Sequence, residues 1–203
     1  MIKNIVFDLG GVLIGWDPKI PFIKAFGGDV SQAENFIANI CDYKWNLELD
    51  KGLPFDEGIK QKQKQFPEFA EIIPLYKSEW VSMLTGTIHG TVKILENLKK
   101  NEQYRLYAIT NFSAETFPIA KKKYPFLNHF EDIVVSGEVN MIKPDRDIFY
   151  YAFNRFQITP TESVFIDDNA DNIRTAQELG LNAIHFKTPE LLNQELKRLE
   201  ITF

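Results

Sequence analysis

From Gly90 to its end, the chain alternates between helical apolar spacing and short apolar runs. Four runs have the length and the β-branched or aromatic content of buried strands: residues 104–109, 132–135, 163–166 and 183–186. A fifth run, residues 4–7, lies at the start of the chain. Strands that alternate with helices form parallel sheets with helices on both faces. We therefore predict an α/β fold with a doubly wound (Rossmann-like) parallel sheet as its core.

Residues 16–84 interrupt this alternation, because they show helical spacing and no convincing strand. Ser31 and Glu34 have the spacing of a capping box, and prolines divide the segment into about four short helices. We therefore expect a small helical cap domain at residues 16–84, inserted into a core domain of residues 1–15 and 85–203. Such an insertion tends to cover the site as a lid, and a packing role is the alternative. We expect its large aromatic side chains to pack within it: Trp16, Tyr43, Trp45 and Trp80. The alternative is that one or two of them face the site and stack on a sugar.

Charge and cysteine content exclude several classes of function. The formal net charge of -5 gives no support to nucleic-acid binding. Cys41 is the single cysteine, which excludes an intrachain disulfide and a thiolate-cluster metal site. No leader precedes the first strand, and no window has the apolar length needed to span a bilayer. We therefore expect a cytoplasmic protein with no nucleic-acid, membrane or obligate protein partner.

Polar side chains follow the predicted strands where the strands end: Asp8, Thr110, Asn111, Lys143, Asp167 and Asp168. Because the carboxyl ends of parallel strands meet at one edge of a sheet, we expect these groups to share a site. Carboxylates without His or Cys suit Mg²⁺, whereas a hydroxyl, an amide and an ammonium group suit a phosphate. Glycines two and three residues after the first acid allow a sharp turn with amides facing an anion. The set indicates phosphoryl transfer, in which a carboxylate can act as nucleophile.

Four motifs occur in order along the chain: FDLGGV at 7–12, ITN at 109–111, KPD at 143–145 and FIDDNADN at 165–172. Together they resemble the haloacid-dehalogenase-like hydrolase superfamily, and the strand–helix pattern extends the resemblance over the whole chain. The first and last motifs are most similar to the bacterial branch that includes an α-glucose-1-phosphate phosphatase. This resemblance implies a Mg²⁺-dependent phosphatase that hydrolyses a small phosphorylated metabolite, a sugar phosphate, through an aspartyl-phosphate intermediate.

The resemblance also implies roles at the phosphate. Asp8 would be the nucleophile. Thr110 and Asn111 would hold the phosphoryl oxygens through the hydroxyl and the main-chain amide, whereas a helix cap is their alternative role, for which Ser113 competes. Lys143 would pair with both the phosphate and Asp8, and would keep that carboxylate ionised and oriented.

For the metal, the resemblance implies a site made of carboxylates and one carbonyl. Asp8 would bind Mg²⁺ through its second oxygen, and the main-chain carbonyl of Gly10 would be a further ligand. Asp168 would bind directly, and Asp167 directly or through water. Asp171 or Asn172 would brace the turn.

Gly10 departs from the wider superfamily, in which the position two after the nucleophile is commonly a second Asp that acts as general acid and base. A positioned acid contributes about 10²–10⁴ in rate. Its absence leaves three possibilities: a leaving group that needs little protonation, a different proton donor, or a slow enzyme. An anomeric phosphate fits the first, and Asp17, just past the strand, is a candidate for the second.

Other functions fit these motifs less well. A dehalogenase of the superfamily dispenses with Mg²⁺, which leaves adjacent acids at 167 and 168 without a purpose. A phosphomutase depends on the acid that Gly10 lacks. A phospho-accepting signalling receiver would carry its acid pair early in the chain and have no helical insertion. A catalytically weak protein that binds a phosphate ligand is a further alternative, which only Gly10 favours.

Overall fold

The computed structural model describes residues 1–202 and contains seven strands and eleven α-helices within them. The strands are β1 (Asn4–Phe7), β2 (Ile14–Trp16), β3 (Leu84–Thr87), β4 (Arg105–Thr110), β5 (Asp132–Val135), β6 (Ser163–Asp167) and β7 (Asn182–His185). The helices are α1 (Ile20–Ala25), α2 (Val30–Asn39), α3 (Tyr43–Lys51), α4 (Phe55–Gln65), α5 (Leu75–Ser78), α6 (His89–Lys100), α7 (Phe117–Lys123), α8 (Ser136–Val139), α9 (Arg146–Phe156), α10 (Ala170–Glu178) and α11 (Pro189–Arg198). Nowhere in this described range is a helix both long and apolar enough to cross a bilayer.

Five strands form one sheet in the order β5–β4–β1–β6–β7, and every pairing in it is parallel. In β1, Phe7 lies opposite Ala108 of β4 and Ile166 of β6. The chain builds outward from β1 to β5 and then returns to add β6 and β7 on the other side. The carboxyl end of β1 therefore lies where the strand order reverses, which is the usual place for a binding crevice. The predicted α/β fold with a doubly wound parallel sheet is confirmed.

Side chains of β1 alternate between two apolar layers, one on each face of the sheet. Ile5 and Phe7 belong to one buried cluster, and Val6 belongs to the other, which also contains Phe149 of α9 and Ile173 of α10. This double burial explains why the central strands have near-continuous apolar sequences.

The helices α1 to α5 lie between β2 and β3, which pair antiparallel with Ile14 opposite Thr87. The expectation of no strand between 16 and 84 is wrong at its two ends, since β2 ends at Trp16 and β3 begins at Leu84. These strands have three and four residues, which is too short to show a periodic pattern. Phe22 of α1 lies in the same apolar cluster as Phe7, so the inserted helices pack continuously with one face of the sheet.

The predicted cap of α2 is also wrong, and Ser113, the candidate cap after β4, does not begin a helix. The capping box at Ser31 and Glu34 does not form, because Asp29 is the N-cap of α2 and accepts a hydrogen bond from the Gln32 amide at 2.9 Å. Helix α7 begins at Phe117, and the Ser113 hydroxyl accepts a bond from the Glu115 amide at 3.3 Å within the preceding turn.

Candidate active site

Three adjacent strands, β4, β1 and β6, bring the predicted site residues to one edge of the sheet. Asp8 follows β1 directly, and Thr110 is the last residue of β4, with Asn111 after it. Asp167 ends β6, and Asp168 follows. The convergence expected from parallel strand ends is therefore present.

Lys143 is the buried cation of this edge, with a residue exposure of 1%. Its Nζ lies 2.9 Å from Asp8 Oδ1 and 2.7 Å from Asp167 Oδ2, and it donates to the Ile109 carbonyl at 2.8 Å. The loop that carries Lys143 is held by Asn111, whose side chain donates to the Lys143 carbonyl and accepts from its amide, both at 2.9 Å. The Asn111 side chain therefore positions Lys143, and the phosphate contact through the main-chain amide of Asn111 stays a prediction.

The two acids at the end of β6 have different surroundings. Asp167 is completely buried, and its oxygens accept hydrogen bonds from Lys143, from a backbone amide and from Asn172 Nδ2, the last at 3.0 Å to each oxygen. Asp168 is exposed and faces the cavity described below. One oxygen from each of Asp8, Asp167 and Asp168 lies within 4.8 Å of the others, so this cluster could hold a metal ion.

Charge in this cluster is unbalanced without a cation. Burial raises the pKa of Asp8 to about 7; Lys143 opposes this shift, and the charges of Asp167 and Asp168 add to it. Burial lowers the pKa of Lys143, but the charges of Asp167 and Asp8 raise it above its ordinary value overall. When all are ionised, three carboxylates surround one ammonium group, so one divalent cation would neutralise the remainder. An all-oxygen donor set of this kind suits Mg²⁺.

The two glycines after Asp8 have different structural roles. Gly11 has a φ of +69°, and a Cβ on it would lie 2.2 Å from Asp168 Oδ2. A side chain at this position is therefore disfavoured by the backbone conformation, and Asp168 would have to move to admit it. Gly10 is outside the left-handed region, and a Cβ on it would meet no atom within 4 Å. The space beside Gly10 is open.

A cavity of about 390 Å³ opens above the cluster. The core contributes mainly polar residues to its wall: Asp8, Asn111, Lys143, Asp168, Asn169 and Asn172. The segment between β1 and β4 contributes its aromatic and apolar residues together with two polar ones: Ile14, Trp16, Tyr43, Asn46, Leu47, Asp50, Trp80 and Leu84. Of the four aromatic residues expected to pack in the insertion, three reach this wall and Trp45 does not.

Helix α3 supplies, besides Tyr43, three cavity-lining residues that the sequence analysis missed. Tyr43, Asn46, Leu47 and Asp50 all line the cavity. They are spaced i, i+3, i+4 and i+7, so they form one face of the helix. A largely polar stripe at this spacing, within an inserted helix, is the sequence signal that could have found them.

Some predicted residues lie elsewhere than expected. Asp17 is not among the cavity-lining residues of the described chain; its carboxylate accepts from the Lys19 amide at 3.0 Å. Asp171 is exposed and pairs with Arg174, so Asn172 is the residue that braces Asp167. Thr110 Oγ1 is buried and has no hydrogen-bond partner within residues 1–202.

The order of the strands in the sheet and the three acids at the strand ends indicate the class of the protein. A family model described as haloacid dehalogenase-like hydrolase matches residues 5–186. The chain belongs to this family, and the predicted family and hydrolase class are confirmed.

Several relatives of known activity cover nearly the whole chain. The sesquiterpene phosphatase astK of Aspergillus oryzae is 23% identical over 97% of this chain and 96% of its own length. The D-ribitol-5-phosphate phosphatase of Bacteroides thetaiotaomicron is 22% identical over 97% of both chains. Drimenol cyclase drtB of Aspergillus calidoustus is 27% identical over 98% of this chain, which spans only 37% of that protein.

A solved structure of a similar enzyme contains magnesium. A family enzyme from Bacteroides thetaiotaomicron, in complex with magnesium and inorganic phosphate, is 27% identical, has a TM-score of 0.69, and is matched over 93% of this chain and 96% of its own. With the acidic cluster at Asp8, Asp167 and Asp168, this supports the predicted Mg²⁺ cofactor.

Proposed function

We propose that this protein is a Mg²⁺-dependent phosphatase that hydrolyses a small phosphorylated metabolite, a sugar phosphate, through an aspartyl-phosphate at Asp8. The observation that carries the proposal is the Asp8 carboxylate, which lines the cavity with one oxygen paired to buried Lys143 and two further acids beside it. This is the arrangement that in-line attack on a phosphate beside a divalent cation requires. Two full-length relatives with phosphatase activity support the reaction class.

At the phosphate, Asp8 would attack phosphorus and Lys143 would neutralise a phosphoryl oxygen while holding Asp8 in place. The Thr110 hydroxyl is a buried group that lacks a hydrogen-bond partner among the described residues 1–202, and a phosphoryl oxygen would satisfy it. The Asn111 main-chain amide would bind a second oxygen. Mg²⁺, when bound, would supply charge neutralisation to the phosphoryl group.

For the metal, the residues that would hold it are Asp8, the Gly10 carbonyl and Asp168. We assign Asp167 a contact through water, because its oxygens already accept bonds from Lys143, Asn172 and a backbone amide. Its charge would still attract the cation.

The cavity wall supports a substrate with both hydroxyl groups and an apolar face. Trp16 and Trp80, whose ring centroids lie 5.5 Å apart, offer aromatic surfaces on which a sugar can stack. Asn46 and Tyr43 offer polar groups to hydroxyls. The similarity to the D-ribitol-5-phosphate phosphatase supports a polyol or sugar ester as substrate. Residues 16–84 would form the cap domain, which selects the substrate, and residues 1–15 and 85–203 would form the core domain.

The reaction is tested with 4-nitrophenyl phosphate, with and without Mg²⁺. We expect hydrolysis that is abolished by a chelator and by Asp8→Asn and is retained in Asp171→Asn, which changes an exposed acid outside the cavity. Full activity in chelator would exclude the metal role, and no hydrolysis of any phosphate ester would favour a phosphate-binding protein. Turnover of a haloacid or conversion between phosphate isomers would indicate a dehalogenase or a phosphomutase.

The substrate class is tested separately with a panel of phosphate esters. The panel contains α-glucose 1-phosphate, ribitol 5-phosphate, other sugar phosphates, nucleotides and an isoprenoid phosphate. We expect the highest kcat/KM on a sugar or polyol phosphate. A preference for the isoprenoid ester would contradict the sugar assignment and leave the phosphatase assignment intact.

A further inference from the structure

We propose that Asp50, on inserted helix α3, is the general acid and base of the reaction, in place of the acid that Gly10 lacks. The inference rests on the proposed phosphatase function and adds a catalytic residue to it. Asp8 and Asp50 line the same cavity, Asp8 from the sheet and Asp50 from the inserted helices. Gly10 lines this cavity as well, and the space beside it is open, so no side chain at position 10 separates a leaving group from Asp50.

The Asp50 side chain is held in a hydrogen-bonded chain. Asn46 Nδ2 donates to Asp50 Oδ2 at 2.8 Å, and the Tyr76 hydroxyl donates to Asn46 Oδ1 at 2.7 Å. Tyr76 is itself buried, with 1% exposure. These two hydrogen bonds therefore orient the Asp50 carboxyl group. Among residues 1–202, no cation forms an ion pair with Asp50, so only the hydrogen bonds donated to its oxygens favour the carboxylate form.

The Asp50 backbone is tied to the core close to the reacting groups. The Ser136 hydroxyl donates to the Asp50 carbonyl at 2.5 Å and accepts from the Phe112 amide at 2.8 Å. Phe112 lines the cavity and follows Asn111 directly. One buried hydroxyl therefore joins α3 to the loop after β4, which sets the position of Asp50 relative to the proposed phosphate site.

The surroundings of Asp50 suit proton transfer near neutral pH. Burial raises its pKa to about 7, and hydrogen bonds from Asn46 and the Ser113 backbone oppose the shift. Two titratable groups respond to its charge: Tyr43 on the same helix and Tyr76 on α5, both with raised pKa values. The charges of Asp167 and Asp168 also raise the pKa of Tyr43. The Tyr43 hydroxyl is therefore influenced by the acids of the core as well as by Asp50.

The proton balance is complete with Asp50 alone. As Asp8 attacks phosphorus, the bond from phosphorus to the ester oxygen breaks, and protonated Asp50 gives its proton to that oxygen, releasing an alcohol. The Asp50 carboxylate then accepts a proton from water as the water oxygen attacks phosphorus. The bond to Asp8 breaks, which returns Asp8 as a carboxylate, releases inorganic phosphate and leaves Asp50 protonated for the next cycle.

The test compares two leaving groups in Asp50→Asn, with kcat/KM reporting the step that breaks the ester bond. For ribitol 5-phosphate, an alkyl ester, we expect a loss of about 10²–10⁴-fold. For 4-nitrophenyl phosphate, whose leaving group needs no proton, we expect less than about a tenfold loss. The control is Glu48→Gln, an exposed acid of α3 outside this cavity, which should change neither value.

Equal losses on both esters would mean that Asp50 binds or supports the fold, and would overturn the proposal, as would no loss on either. Failure of the wild type to hydrolyse the alkyl ester would also overturn the proposal, because a general acid should make an alkyl leaving group reactive. The proposed function fails separately, if the wild type does not hydrolyse 4-nitrophenyl phosphate in a manner that depends on Mg²⁺ and Asp8.

Two further measurements strengthen the test, and the first uses only the wild type, so it stays decisive if Asp50→Asn folds poorly. In the wild type, kcat/KM for the alkyl ester should fall above about pH 7 relative to the aryl ester; parallel profiles would contradict a role for a protonated acid. Adding Gly10→Asp to Asp50→Asn should restore part of the alkyl activity, because position 10 has open space and an ordinary backbone conformation. A purely structural role for Asp50 predicts no such rescue.

Discussion

Lys143 is the residue on which the charges of the site depend most, because it lies between two buried carboxylates and is itself buried. Lys143→Met keeps the length of the side chain but leaves Asp8 and Asp167 without their cation. We expect a loss of about 3–5 kcal/mol in the free energy of unfolding, measured by urea denaturation, together with loss of phosphatase activity.

Lys122→Met is the matched control for this change, since Lys122 is exposed. It should alter stability by no more than about 0.5 kcal/mol. If Lys143→Met were as stable as this control, the two carboxylates would not depend on Lys143 for their burial.

Gly11 is predicted to matter for the metal more than for the fold. In Gly11→Ala the new Cβ would meet Asp168 Oδ2, so the acid must move. We expect the Mg²⁺ concentration for half-maximal activity to rise by about 10–100-fold. Gly27→Ala is the control, because Gly27 has a similar φ of +64° but no atom within 4 Å of the added Cβ. Equal Mg²⁺ requirements in the two variants would contradict the contact.

Asp50 should make stability depend on pH. Its pKa is about 7 in the folded protein, against an ordinary value of 3.8 when unfolded. The folded state therefore holds this proton more tightly, and stability from this group is lost as pH rises from about 4 to about 7. Asp50→Asn removes the loss, so its Tm without Mg²⁺ should exceed that of the wild type by several degrees at pH 8 and by less at pH 5, about 2–4 °C per kcal/mol. A Tm difference that does not grow with pH would contradict a buried, titrating carboxyl group.

At the residue scale, the sequence predicted the groups that directly follow strands. Asp8 and Asp168 converge as expected because parallel strand ends must meet, whereas Lys143 lies beyond α8 and is brought to them by a loop that Asn111 holds. Asn46 and Asp50 were missed, because their spacing marks one face of α3 but does not tell that this face packs over the edge of the sheet.

At the scale of single elements, the start of α2 gives a direct test of the corrected boundary. Asp29 caps this helix through its bond to the Gln32 amide, whereas Ser31 is exposed within the first turn. Asp29→Ala should therefore lower stability by about 1 kcal/mol, and Ser31→Ala by less than about 0.5 kcal/mol. Thermal unfolding of both variants measures the difference, and the reverse order would restore the capping box.

The accuracy of the predicted elements follows from their burial. The strands of the sheet were placed to within about a residue, because both faces are covered and their sequences are nearly all apolar. Helix starts in the insertion were less accurate, because several Ser, Asp and Pro residues compete to begin each helix and tertiary packing selects one. The short pair β2 and β3 has no periodicity from which to predict it.

At the scale of the whole molecule, the uncompensated negative charge of the site should couple metal binding to stability. A ligand that binds only the folded state at 100 times its Kd stabilises it by about 2.7 kcal/mol. For a domain of this size we therefore expect Mg²⁺ to raise Tm by about 5–10 °C and a chelator to reverse the rise. Asp168→Asn should lose most of this increase, because the exposed ligand on the cavity wall is removed.

Asp171→Asn is the control for the metal-dependent Tm. Asp171 lies three residues further along, is exposed and pairs with Arg174, so its loss removes the same formal charge without changing the cluster at the strand ends. It should keep the full Mg²⁺ shift. Equal reductions in Asp168→Asn and Asp171→Asn would mean that Mg²⁺ responds to the overall charge of the surface, whereas loss in Asp168→Asn alone would locate the ion at the edge shared by β1 and β6.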